Sequence, residues 1–252
     1  DPGAASQVYL GNGTGEPDES IILDAVRWTY REGASQGGIS VLTGSTWLTE
    51  TAPGDSYALA FDETGVLWAG TATGLARRDP DGKWTSYTSA NSSIPLDQVT
   101  ALAVDDATGR IWMGDEAGGG LAVYTPTTGM WGAIAAPFTD VAAVEVDTAG
   151  LVWIGSASNG GLAALRPDGS WIVYTAATSN LPGDRVLALL PDPEGGVWIA
   201  ATAAGPGQQS GVSHLTFGTP PVATIQAILP SAPVQTENTI LFRAGALDTD
   251  ED

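Results

Sequence analysis

The sequence predicts an all-β protein, a β-propeller of five four-stranded blades. Three observations carry that prediction. A unit of about forty residues recurs five times between Ser20 and Phe217. Every copy places a tryptophan in its second predicted strand. The connections are short and carry D-x-x-G or P-D-G turn chemistry. The composition agrees, because 33 glycines and 16 prolines supply the positive φ and pre-set dihedrals that many tight turns need. A chain of 252 residues is long enough for one large all-β domain.

The copies begin at Ser20, Ser56, Val99, Val141 and Val186. In each, a mostly apolar first strand ends in aspartate: Asp24, Asp62, Asp105, Asp147 and Asp192. Four copies follow it with a turn closing on Gly65, Gly109, Gly150 or Gly195. The second strand carries Trp28, Trp68, Trp112, Trp153 or Trp198, at spacings of 40, 44, 41 and 45. A glycine-containing loop leads to a third strand starting at Ile39, Leu75, Leu121, Leu162 or Val212. In four copies a short turn then gives a fourth strand with a second tryptophan: Trp47, Trp84, Trp131 and Trp171. These two sets use all nine tryptophans, so they are expected to be scaffold that packs between units. Four residues before each aspartate stands Ser20, Ala58, Ala101, Ala143 or Ala188, small enough for first strands to crowd around an axis. Four-stranded sheets repeated radially make a propeller. A stacked solenoid is the competing repeat architecture, and an aromatic in every second strand argues against it.

The fifth copy breaks the grammar. After Val212–Phe217 comes Gly218-Thr219-Pro220-Pro221, with no second tryptophan. The last blade is therefore expected to be one strand short, with Gln7–Leu10 completing it and closing the ring. Closure removes strand edges that would otherwise template aggregation. The alternative is an arc of a larger ring. The expected domains are the propeller over 1–218 and, over 219–252, a Pro-rich linker with the first strands of an incomplete immunoglobulin-like domain. Asp248, Asp250, Glu251 and Asp252 read as an ordinary acidic turn rather than a Ca²⁺ site.

A formal net charge of −20, with no basic cluster beyond Arg77-Arg78, argues against nucleic acid and anionic membrane surfaces as partners. The absence of cysteine excludes disulfides and thiolate metal sites. No apolar run approaches the ~18 residues a membrane span needs. A single histidine, His214, rules out a multi-histidine metal centre, and no G-x-S-x-G elbow is present. Paired-carboxylate hydrolysis is the catalytic class the composition leaves open. No cofactor or metal is expected.

Internal repetition sorts scaffold from candidates. A residue recurring in every copy serves the fold, as the aspartate before each turn does by accepting backbone amides. Pattern breakers cluster at two places. One is the loop between second and third strands, with Arg31, Glu32, Asp115, Glu116, Asn159, Gln208 and Gln209. The other is the link between blades, with Asn91, Asp97, Asp140, Asn180, Asp184 and Arg185. Both sets open on one face of a propeller, around the axis, where ligands commonly sit. The expected ligand-binding set is Tyr30, Arg31, Glu32, Asp115, Glu116, Asn159, Asp184, Arg185, Gln208 and Gln209. Its planar polar side chains suit sugar hydroxyls, and Tyr30 offers a stacking surface. Glu145 is a separate oddity. It stands on the innermost strand where other copies have Ile22, Ala60, Ala103 and Leu190, so it is expected to line the channel or be paired.

The unit V-x-x-L-x-x-D-x-x-G-x-l-W-i-G-T/S…G-G-L, preceded by N-L-P, resembles the two-component-regulator propeller repeat. The matching stretches are Asn180-Leu181-Pro182, Trp153-Ile154-Gly155-Ser156 and Gly160-Gly161-Leu162, within a resemblance covering about residues 20–217. The tail N-T-I-L-F-R-A-G-A-L-D resembles the start of the sandwich domain that often follows such propellers. The resemblance implies an extracytoplasmic, periplasmic or cell-surface, sensor region that binds glycans or their fragments. Such propellers are commonly joined to a transmembrane histidine kinase, but the resemblance does not prove one here, since no kinase sequence is present. The expected function is a non-catalytic ligand-binding module whose loop face takes a small molecule, an oligosaccharide or another protein. The alternatives are a structural or adhesive surface module and a polysaccharide-active enzyme using paired carboxylates.

Overall fold

The computed structural model describes residues 39–43, 46–50, 55–193, 195–217 and 223–228, all within one compact unit spanning Ala34–Asp252. A hairpin of β1 (Ile39–Thr43) and β2 (Thr46–Glu50) comes first. Four antiparallel four-stranded sheets follow, the first three each built from one sequence repeat and the last from a repeat plus a strand beyond Phe217, with strand order equal to chain order. The first holds β3 (Ser56–Phe61), β4 (Leu67–Thr71), β5 (Gly74–Arg78) and β6 (Trp84–Tyr87). The second holds β7 (Ala101–Asp105), β8 (Arg110–Asp115), β9 (Gly120–Thr125) and β10 (Met130–Ile134). The third holds β11 (Val141–Val146), β12 (Val152–Ser156), β13 (Leu162–Leu165) and β14 (Trp171–Tyr174). The fourth holds β15 (Arg185–Pro191), β16 (Val197–Thr202), β17 (Gly211–Phe217) and β18 (Ala223–Ile228).

The first strands of successive sheets lie side by side, β3 by β7, β7 by β11 and β11 by β15. That is where alanine recurs, at Ala101 and Ala143 among the buried residues. The apolar core lies between sheets. Trp68 packs with Val99, Leu102 and Met113 of the next sheet, and Trp153 packs with Val186, Leu189 and Leu215. Both indoles are almost fully buried, at 1 % and 0 % exposure. The expectation that these tryptophans are inter-blade scaffold therefore holds.

The recurrent aspartate does what a turn needs and one thing more. Asp62 Oδ1 accepts the amides of Thr64 and Val66 at 2.9 and 3.0 Å, and Asp147 Oδ1 accepts those of Ala149 and Leu151 at 2.9 Å each. The second oxygen accepts the tryptophan of the next strand, Trp68 Nε1 at 3.0 Å and Trp153 Nε1 at 2.9 Å. The turn and the buried indole are thus fixed by one carboxylate. Burial alone would push Asp62 up, yet the hydrogen bonds from Thr64, Trp68 and Val66 outweigh it and hold the carboxyl below its ordinary value. In the second sheet Asp105 spends its Oδ2 on the Thr108 hydroxyl, and Trp112 Nε1 is buried without a partner.

Glycine on the second strand sets the distance between sheets. A Cβ added to Gly114 would lie 2.6 Å from Val141 Cγ1, and one at Gly155 would lie 2.6 Å from Val186 Cγ1. Val141 opens β11 and Val186 is the second residue of β15, and both are fully buried. The repeat keeps glycine there because the next blade occupies that space.

The last sheet corrects one expectation. It is not a strand short, because β18 pairs antiparallel with β17 along its whole length, from Phe217↔Ala223 to Val212↔Ile228. The strand escaped notice because the other fourth strands were recognised by tryptophan. Pairing itself needs only extended backbone and β-branched residues such as Thr224, Ile225 and Ile228. β18 fills the place assigned to Gln7–Leu10, and it takes Ala223–Ile228 out of the expected linker over 219–252. Gln7–Leu10, the first two strands of the copy starting at Ser20, and the immunoglobulin-like stretch after Ile228 lie outside the described residues. On β3, Tyr57, Leu59 and Phe61 are exposed, as is Leu190 on β15.

Candidate functional site on the loop face

The two loop sets named by the sequence meet on one face. The β8–β9 loop touches links on both sides: Glu116 N donates to Thr100 Oγ1 at 2.9 Å, and Gly120 N donates to Thr139 O at 2.8 Å. The β12–β13 loop repeats the arrangement, Ala157 N donating to Asp140 O and Gly161 N to Asp184 O. In the last sheet Gln209 N donates to Pro182 O at 2.7 Å.

Several candidates are consumed in building this face. Asp184 is buried, and its Oδ1 accepts Ala176 N at 2.6 Å. Its Oδ2 accepts from Gln208 Nε2, while Gln208 Oε1 accepts Asp184 N at 3.1 Å and Ala204 N at 2.7 Å. These two residues clasp each other and tie the enlarged β16–β17 loop to the link before β15. Asp115, also buried, shapes its own loop by accepting Ala117 N at 2.8 Å. Asp140 accepts the Ser156 hydroxyl at 2.9 Å, and that same oxygen accepts the amides of Ser158 and Gly160. Asn91 binds Thr88 N and Ser86 O.

What remains open to a ligand is a smaller set. Glu116, Asn159, Arg185 and Gln209 are exposed, each on a loop or strand end held by the buried groups beneath. A cavity of about 330 Å³ opens here, lined by Ser179, Asn180, Leu181, Pro182, Gly207 and Gln209. Tyr30, Arg31 and Glu32 lie outside the described residues. Ser156 and Thr100 were missed by sequence reasoning. Ser156 replaces the Thr71 or Asp115 of other copies at the end of the second strand, and each of these polar side chains accepts a loop amide. The signal was a shared role carried by different residue types, which a search for identical letters does not register.

Two isolated groups have different settings. His214 lies on β17 opposite Trp198 of β16, its ring stacked on the indole at 4.1 Å and 5°. Its Nε2 lies 2.9 Å from Asp192 Oδ2, off the direction a good hydrogen bond requires. The lone histidine sits within a blade, where Asp62 and Asp147 hold tryptophans in other copies. Glu145 lies on β11 directly across from the buried Trp153. Among the described residues it has no hydrogen bond or ion pair, so the expected pairing is not found there. Burial pushes its carboxyl up to about 7.

Residues 180–203 match the two component regulator propeller family. The chain carries a two-component-regulator propeller repeat. That stretch runs from the N-L-P motif through β16 and includes Asp184 of the clasp and Asn180, Leu181 and Pro182 of the 330 Å³ cavity. None of the curated proteins compared with the chain matches it. Among solved structures, the extracellular domain of the hybrid two component system BT3049 from B. thetaiotaomicron is 18 % identical with a TM-score of 0.55, over 69 % of this chain and 24 % of that one. Virginiamycin B lyase from Staphylococcus aureus, in a catalytically inactive form with quinupristin, is 14 % identical with a TM-score of 0.60, over 77 % and 64 %. An auxiliary nutrient binding protein from Bacteroides thetaiotaomicron is 11 % identical with a TM-score of 0.51, over 69 % and 42 %. At these identities the likeness establishes the propeller fold. The chain spans about a quarter of the length of the sensor domain it resembles. Among the described residues no helix is long and apolar enough to cross a membrane.

Proposed function

We propose that this chain is a non-catalytic, extracytoplasmic ligand-binding module, and that it takes its ligand, a glycan fragment or similar polyol, on the loop face. The observation that carries the reading is the division of labour there. Asp115, Asp140, Asp184 and Gln208 are spent on fixing the loops, while Glu116, Asn159, Arg185 and Gln209 are presented outward. Loops fixed before binding lose little entropy on binding, which is what a recognition surface requires. The carboxylates spent on loop amides are poorly placed for acid–base chemistry, which supports binding without turnover. The repeat match and the likeness to an extracellular sensor domain support the compartment and the sensing role.

Calorimetry against oligosaccharides preselected on a glycan array tests this. Saturable binding should fall at least tenfold in Glu116→Ala or Arg185→Ala with unchanged melting. Absence of saturable binding, or turnover of a polysaccharide abolished by one Asp or Glu substitution, would overturn it.

A further inference from the structure

A second cleft opens on the opposite face, between the first two full sheets, where the turns β3–β4, β7–β8 and β9–β10 converge. Its volume is about 410 Å³, within the range of small-molecule sites. Arg77 of β5 and Tyr124 of β9 line it together with Trp68 and Tyr87.

Both Arg77 and Tyr124 break the repeat. Arg77 stands across from Trp68, where the next two sheets place Val123 across from Trp112 and Ala164 across from Trp153. Tyr124 stands one residue further along its third strand, where the following sheets have Leu165 and Leu215. Those residues build apolar contacts at the other two interfaces. Val123 and Leu165 join one core, and Ala164 and Leu215 join the other. Among the three interfaces between the described four-stranded sheets, the first alone replaces this apolar pair by a cation and a phenol. Tyr124 also serves the core, buried and stacked on Trp131 with centroids 4.0 Å apart, so Arg77 is the one of the two that the other interfaces show the fold can do without.

The chemistry of the cleft is two-ended. Its accessible apolar lining is Tyr87, Val104 and Pro126, backed by the buried rings of Trp68 and Tyr124, with Tyr87 and Tyr124 centroids 5.5 Å apart. Arg77 lies 5.9 Å over the Trp68 ring and is 35 % exposed. Its one ion pair among the described residues, 2.7 Å to Asp79, leaves Asp79 Oδ1 without a well-directed hydrogen bond, so the guanidinium fork keeps donors to offer. The turns contribute Glu63 and Asp106, both exposed and neither hydrogen-bonded nor ion-paired among the described residues. Asp62 is spent on its turn and on Trp68. A polyanion is repelled by the two carboxylates, and a simple cation meets Arg77.

We infer that this cleft binds a small zwitterion with an apolar body, of the α-amino acid class. Arg77 takes the carboxylate, Glu63 and Asp106 take the ammonium, and the lining of Tyr87, Val104 and Pro126 takes the side chain. The site is independent of the loop face.

The test is titration calorimetry of the full chain with L-phenylalanine, 2-phenylethylamine, 3-phenylpropionate and glucose. L-phenylalanine should bind saturably, with each singly charged analogue at least about tenfold weaker. The double variant Arg77→Val/Tyr124→Leu rebuilds the apolar contact used at the other interfaces. It should retain a single cooperative melting transition and lose L-phenylalanine binding at least tenfold. Should that variant misfold, Glu63→Gln/Asp106→Asn on the exposed turns serves instead. It should weaken L-phenylalanine and 2-phenylethylamine and leave 3-phenylpropionate unaffected. No saturation by about 10 mM L-phenylalanine, glucose binding as tightly, or variants that bind like the parent would overturn the assignment. Loop-face substitutions Glu116→Ala and Arg185→Ala should leave L-phenylalanine binding unchanged, so the two sites fail or stand separately.

Discussion

Replacing Glu145 by glutamine should remove a pH dependence that the fold carries against itself. Other copies place isoleucine, alanine or leucine at this position, and the carboxyl here lies across from a fully buried tryptophan with no partner among the described residues. Burial raises it from 4.5 to about 7. The sign follows from linkage: protons bind the folded state more tightly, so the stabilisation is fully present below the unfolded value. It is lost progressively as pH rises to about 7 and is gone above it. At about 1.4 kcal/mol per pH unit, the difference between folded and unfolded values sets a ceiling of about 3 kcal/mol across that window. For a chain of this size that is roughly 6–12 °C in melting temperature. The measurement is urea unfolding of parent and Glu145→Gln at pH 5 and pH 8. Taking the difference between the two proteins cancels the common effect of the chain's net charge. The parent should lose up to about 3 kcal/mol more than the variant on going to pH 8. Parallel pH profiles would refute the reasoning, because they would mean that Glu145 ionises in the fold as freely as in water.

Other substitutions test the scaffold. Asp147→Ala strips partners from two amides and from Trp153 Nε1, and should cost about 2–4 kcal/mol in urea unfolding. Trp153→Phe should cost about 1 kcal/mol more than Trp112→Phe, because only the first removes a satisfied hydrogen bond. Gly155→Ala drives a methyl into Val186 and its carbonyl, and should destabilise by about 1–3 kcal/mol, read as a lowered denaturation midpoint. Ending the chain at Gly218 removes β18, exposes the β17 edge, and should lower both melting temperature and solubility. Unchanged melting of that truncation would show that β18 contributes nothing to the sheet.

The fold was legible because a propeller blade is a local object. Each sheet forms from about forty consecutive residues, so apolar alternation, turn glycines and recurrent tryptophans appear in sequence order. The turn aspartate was legible for the same reason, its amide partners lying two to four residues away. What is distant in sequence was not. The Asp184–Gln208 clasp spans 24 residues and turns two candidate ligand contacts into loop ties. Arg77 and Tyr124 line one cleft only because neighbouring sheets face each other, and each alone reads as an unremarkable strand residue. The sequence by itself therefore determined the repeat, the all-β sheets and the scaffold role of Trp68 and Trp153. Only the tertiary structure decided that β18 completes the last sheet, and which polar groups are spent on the fold and which are left for a ligand. A hydrogen-bonding side chain is free or engaged according to what lies within about 3 Å of it, and in this chain those neighbours come from other loops and other blades.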